Sequence, residues 1–122
     1  MLKNINVLVI EKEFLIALDI QRMLETLDVG EIVFARSLEE AGQLEHHWPR
    51  IGLAIVEVTL EPQTASALVE RLLASGIAVV LSSADTGLSP GVNSALLLPL
   101  VGKPMAENEL VQAIGKALAS QR

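Results

Sequence analysis

The chain has 122 residues, with nine basic against fifteen acidic side chains, a net charge of −6 and no cysteine. A domain of this size buries roughly two-thirds of its extended-chain surface, and 51% hydrophobic content with only 20% charged residues excludes a disordered chain. The missing cysteines exclude disulfide frameworks, zinc-thiolate centres and thiol catalysis. The acidic balance and the three aromatics Phe14, Phe34 and Trp48 argue against a nucleic-acid surface.

Along the chain, short apolar or β-branched runs at residues 5–10, 31–35, 51–56, 77–81 and 96–101 alternate with stretches of helical spacing. The first run is too short for a signal peptide, and no apolar stretch approaches a membrane span, which predicts a small cytoplasmic protein. Ile16, Ile20, Met23, Leu24 and Leu27 form the first helical stripe. A capping box at Ser37 and Glu40 opens a second, carried by Ala41, Leu44 and Trp48. Leu68, Leu72 and Leu73 make a third, stopped by Gly76. In residues 85–93, Gly87, Pro90 and Gly91 interrupt the rhythm, so the helix expected there is short, distorted or absent. Leu110, Val111, Ile114 and Leu118 complete the series.

Most of the strand runs lack alternation, as strands buried on both faces do. Their regular exchange with helices predicts a single α/β domain over residues 1–122, with right-handed crossovers and a parallel sheet covered on both sides. In such sheets functional groups gather at the carboxyl ends of the strands. Those positions hold Glu11, Lys12 and Glu13, then Glu57 and Thr59, then Ser82 and Ser83, and finally Lys103 and Pro104. Neighbouring His46 and His47 point about 100° apart on a helix and have no third histidine, so a solvated helix end is the reading there. No glycine-rich phosphate loop or Ser-His-Asp arrangement is present.

Taken together, VLVIEKEFLIALDI at 7–20, LAIVEVTLEP at 53–62, VVLSSA at 79–84 and VGKP at 101–104 make the chain resemble a response-regulator receiver domain over essentially its full length. The resemblance is closest to short single-domain receivers, and implies a flavodoxin-like three-layer sandwich with five parallel strands in the order 2-1-3-4-5. It also implies a CheY-like, non-enzymatic module of two-component phosphorelay signalling, with a histidine kinase or downstream effector as partner and neither nucleic acid nor membrane; a homodimer is left open. In the family, two acids after the first strand and an aspartate after the third hold Mg²⁺. That aspartate takes the phosphoryl group, and a Thr/Ser and a Lys contact its oxygens. Phosphoryl transfer needs this set: a carboxylate nucleophile, a hard dication, and donors for the charge on the equatorial oxygens.

Carried over residue by residue, Glu11 matches the first acid, Ser83 and Lys103 the phosphoryl contacts, and Thr59 a backbone carbonyl ligand. The departures fall on the chemistry. Lys12 stands at the second acid, Glu57 at the phosphoacceptor, and Leu100 at the aromatic switch position on the fifth strand. The interval from Glu57 to Ser83 is also shorter than usual, implying a trimmed third helix or loop. Lys12 changes the site's formal charge by about two units, opposing a dication within Coulomb range. Glu57 pushes its carboxylate one methylene further, into the space the metal and phosphoryl group need.

The expectation is an atypical receiver in which Glu11, Lys12, Glu57 and Thr59 are relics of a metal site. It binds no cofactor, holds Mg²⁺ poorly, has lost phosphotransfer and acts by protein–protein contact. Glu11, Glu57 and Lys103 should converge, with Lys103 paired to Glu57, Lys12 paired to Glu57 or Glu11, and a cis peptide at Lys103–Pro104. A receiver phosphorylated by unusual chemistry, or a flavodoxin-like small-molecule binder, are the alternatives.

Overall fold

The computed structural model describes residues 3–58, 62–83, 98–103 and 105–120. Five strands form one parallel sheet: β1 (Asn6–Ile10), β2 (Ile32–Ala35), β3 (Ile51–Glu57), β4 (Ala78–Ser83) and β5 (Leu100–Gly102), in the order β2-β1-β3-β4-β5. Four α-helices accompany them among the described residues: α1 (Phe14–Thr26), α2 (Leu38–Gln43), α3 (Pro62–Ala74) and α4 (Glu107–Ala119). This is the flavodoxin-like arrangement expected.

The unbroken apolar runs are explained by the two faces of the sheet. Leu8 and Ile10, Ala54 and Val56, and Val79 and Leu81 pack with Trp48 and with Leu68, Val69 and Leu72 of α3. The intervening residues Val7, Val9, Leu53, Ile55, Ala78 and Val80 pack with Ile20 and Leu24 of α1 and Leu110 and Ile114 of α4. Successive side chains leave opposite faces of a strand. A strand between two helical layers therefore needs an apolar residue at every position.

Local signals hold at the helix ends. Ser37 Oγ accepts from Glu40 N at 3.0 Å, and the Glu40 carboxylate accepts from Arg36 N at 3.2 Å. Gly76 has φ +83°, a conformation that costs other residues a Cβ clash. Around it, Gly76 N donates to Leu73 O and Ile77 N to Leu72 O, which closes α3 and seats Ile77 in the core.

Two expectations change. Ala41, Leu44 and Trp48 do not share one helix: α2 stops at Gln43, and a 3-10 helix containing Pro49 runs over Glu45–Arg50. The cause is Trp48, whose buried indole N–H donates to Ala41 O at 3.3 Å and so takes a carbonyl that a longer helix would use. The fifth strand begins among the described residues at Leu100, later than the run at 96–101 suggested. The expectations for residues 85–93, for Thr59 and for the Lys103–Pro104 peptide lie outside the described residues.

Candidate functional site

β1, β3 and β5 end side by side, and each delivers one ion to the same face. Glu11 follows Val7 and Val9, Glu57 follows Leu53 and Ile55, and Lys103 follows Val101, so alternation aims all three toward the α1/α4 side. There they meet. The Lys103 ammonium donates to Glu11 Oε1 at 2.8 Å and to Glu57 Oε2 at 2.5 Å. The side chains are 3% exposed for Lys103, 1% for Glu11 and 10% for Glu57.

The backbone fixes these positions. Lys103 N donates to Ser83 O and Val58 N to Ser82 O, tying the ends of β5 and β3 to β4. Glu11 N donates to Ala35 O, tying β1 to β2. The second oxygen of Glu11 accepts from Glu13 N at 3.1 Å, at the entrance to α1, where the partial positive charge of a helix start favours a carboxylate.

Electrostatics follow from burial. Burial pushes the Glu11 carboxyl above its usual range, and the hydrogen bonds from Lys103 and Glu13 only partly offset it; the charge of Glu57 pushes the same way as burial. For Lys103 burial works against the ammonium, but hydrogen bonds to Glu11 and Glu57, with their charges, outweigh it and raise its pKa. The triad is one cation between two anions.

Of the remaining expected site residues, Lys12 departs from expectation. It is exposed and forms no ion pair with Glu57 or any other described residue. Its side chain ends in solvent, in the wall of the same surface cavity that Glu11 lines, while the Glu11 carboxylate turns inward to Lys103. Leu100 is half-buried, pairs in register with Leu81 and packs on the α2/α3 face. Ser83 is buried and lies opposite Gly102 in register. Ser82 is the residue the carry-over passed over. It stands directly beside Glu57 in register, is 1% exposed, and its hydroxyl has no hydrogen-bond partner among the described residues. The signal was its place one residue nearer than Ser83 to the apolar run. His46 and His47 stack with ring centroids 4.1 Å apart in the 3-10 helix, and His47 Nδ1 lies 2.9 Å from Arg50 Nη2.

Mg²⁺ demands near-octahedral oxygen ligands, and among the described residues no group of three or more His, Asp or Glu side chains is placed to hold a metal. The two carboxylates that converge are already bridged by an ammonium.

This geometry sits on a known scaffold. A signal receiver domain of an HD domain-containing protein from Pseudomonas fluorescens is similar at 22% identity and TM-score 0.77, with 98% of each chain covered. A response regulator from Thermotoga maritima is similar at 21% identity and TM-score 0.77, covering 95% of this chain and 98% of that one. A response regulator receiver protein from Sinorhizobium medicae matches over 100% of both chains at 16% identity and TM-score 0.77. The chain has the receiver-domain fold. No family profile and no curated protein matches its sequence. Among the described residues of this receiver fold, no helix is long and apolar enough to cross a membrane.

Proposed function

We propose that this chain is an atypical receiver module of two-component signalling whose phosphorylation site is closed from within, and that it acts by protein–protein contact in one held conformation. The carrying observation is the Lys103 ammonium bridging Glu11 and Glu57 at 2.8 and 2.5 Å. A phosphoacceptor must offer a free carboxylate lone pair to phosphorus, with its lysine aimed at the phosphoryl oxygens. Here Glu57 extends about 1.5 Å further than an aspartate would, the length of one carbon–carbon bond. That reach lets it meet Lys103, and the tethered cation stands between the two acids that would serve a metal. A metal would have to displace a buried ion pair while facing Lys12 instead of a third carboxylate. The module is therefore read as non-enzymatic and cofactor-free, with a histidine kinase or a downstream effector as its partner.

Intact mass after incubation with Mg²⁺ and acetyl phosphate tests this. The wild type is expected to stay unmodified, and so is Glu57→Asp, because Lys12 still opposes the metal. Glu57→Asp combined with Lys12→Asp returns both missing ligands beside Lys103 and should restore Mg²⁺ binding at least in part. A phosphorylated wild type overturns the closed site. An inert double variant places the damage beyond these two side chains, in the short Glu57–Ser83 interval or at Leu100.

A further inference from the structure

Beside the triad, between the start of α1 and the end of β2, lies a surface cavity of about 440 Å³. Small-molecule sites occupy roughly 300–1,000 Å³, are mostly apolar and hold a few placed polar groups. This one has that make-up. Phe14 opens α1 on one side of it, Phe34 of β2 stands on the other, and Leu18 follows one turn along α1. The chain has two phenylalanines, and both are here, 73% and 38% exposed, whereas its tryptophan is buried. Rings left in water are a cost that a molecule covering both recovers.

The wall is charged but balanced. Lys12 and Arg36 bring two cations, and Glu11 and Glu40 two carboxylates. Glu11 is 1% exposed at its side chain and held by Lys103 and Glu13 N, so it lends charge without offering an oxygen. Glu40 is half-buried and accepts from Arg36 N through Oε1 alone, which leaves its other oxygen to a ligand. The side chains of Lys12 and Arg36 have no ion pair among the described residues. A wall with equal charges of both signs favours neither an anion nor a cation. It suits a molecule that carries one of each beside an apolar ring.

We propose that this cavity binds a small aromatic zwitterion of the α-amino acid class, its ring against Phe14 and Phe34, its carboxylate on Arg36 and its ammonium on Glu40. Aromatic pairs gain from edge-to-face or offset contact beyond the area they bury. The planar guanidinium of Arg36 matches a carboxylate with two parallel hydrogen bonds, and Lys12 adds a second cation on that side of the balance. The binding does not depend on whether Glu57 accepts a phosphoryl group.

The test is an NMR titration of the full chain with L-phenylalanine, against hydrocinnamate, which lacks the ammonium, phenethylamine, which lacks the carboxylate, and L-alanine, which lacks the ring. L-phenylalanine should shift the resonances of Phe14, Leu18, Phe34 and Arg36, and L-alanine should not. Hydrocinnamate and phenethylamine should each bind roughly tenfold more weakly, a difference of about 1.4 kcal/mol. Arg36→Gln should weaken L-phenylalanine and hydrocinnamate while leaving phenethylamine unchanged. Glu40→Gln should do the reverse for the two analogues, and its amide oxygen still serves Arg36 N. Phe34→Ser should weaken every aromatic probe, and thermal melting reports that each variant remains folded. No shift at millimolar L-phenylalanine, shifts confined to another face, or equal binding of either analogue overturns the proposal. Variants that leave the pattern of preferences unchanged overturn it too.

Discussion

At the amino end of the sheet, Arg50 pairs with Glu31 at 3.8 Å and Arg71 with Glu45 at 2.8 Å, and each of these side chains is more than half exposed. Neutral groups do the joining there. Asn6 donates through Nδ2 to Arg50 O and accepts from Glu31 N, so one amide links the starts of three strands. Gly30 is needed beside it, because a Cβ would stand 2.4 Å from Asn6 Oδ1. At the carboxyl end the arrangement is inverted, with three ions inside and no water-facing partner between them. Burying ions costs desolvation that an apolar trio would avoid. A fold that joins its amino ends with one amide has no structural need for a buried triad at the other. Under the proposed function the triad is the remnant and lock of a site rather than a staple.

The largest expected effect breaks that lock. Lys103→Met leaves two carboxylates buried together without a cation, and loss of one partner of a buried pair costs about 3–5 kcal/mol. That equals truncating a buried core leucine such as Leu53, which costs about 2–5 kcal/mol. Urea unfolding at pH 7 measures both. The Lys103→Met deficit should shrink toward pH 4 as the carboxyls take up protons, while the Leu53→Ala deficit should not. A Lys103→Met deficit below about 1 kcal/mol would place the triad with the exposed pairs of the amino end.

How much of this was legible depended on which force decided each feature. The strands were readable because burial on both faces leaves an apolar residue at every position, as in residues 51–56. The convergence of Glu11, Glu57 and Lys103 was readable because strand ends in a parallel sheet share one edge. The pairing of Lys12 was misread, since a long lysine beside a buried carboxylate keeps its ammonium in water while Lys103 takes the buried place. The break between α2 and the 3-10 helix was hidden because helical spacing does not reveal that an indole N–H will take the Ala41 carbonyl. The exposure of Phe14 and Phe34 was invisible too, because residue type alone does not say which apolar side chains stay in water.

A pH series sharpens the same comparison. Lys103 has its pKa raised on folding, so its contribution is complete below the ordinary lysine value of about 10.4 and is lost as pH climbs through the folded value. Glu11 is also raised, and for a carboxyl that means the folded chain binds the proton more tightly than the unfolded one. Stability from this group is therefore greatest below the ordinary glutamate value of about 4.3 and falls as pH rises through the folded value. Unfolding midpoints should show the acid-side fall in the wild type and lose it in Glu11→Gln. The alkaline fall should be absent from Lys103→Met. An acid-side fall that survives Glu11→Gln would move its origin to another carboxylate.

The smallest expected effect lies at the amino end. Glu45→Gln removes the charge that faces Arg71, and an exposed pair is worth about 0–1 kcal/mol, because water screens it and two flexible side chains must be held. The value should vanish in 1 M salt, where the screening length falls to about 3 Å. Arg71 does more than pair, however. Its guanidinium carbon lies 5.2 Å from the centroid of the Trp48 ring, over a side chain only 2% exposed. Arg71→Ala should therefore cost about 0.5–1 kcal/mol beyond Glu45→Gln, and that excess should survive added salt, since it comes from stacking and packing on the ring. A double-mutant cycle separates the two parts. If the Glu45–Arg71 coupling matched the cost of Lys103→Met, exposure would not be what distinguishes the two ends, and the buried triad would lose its claim to a separate role.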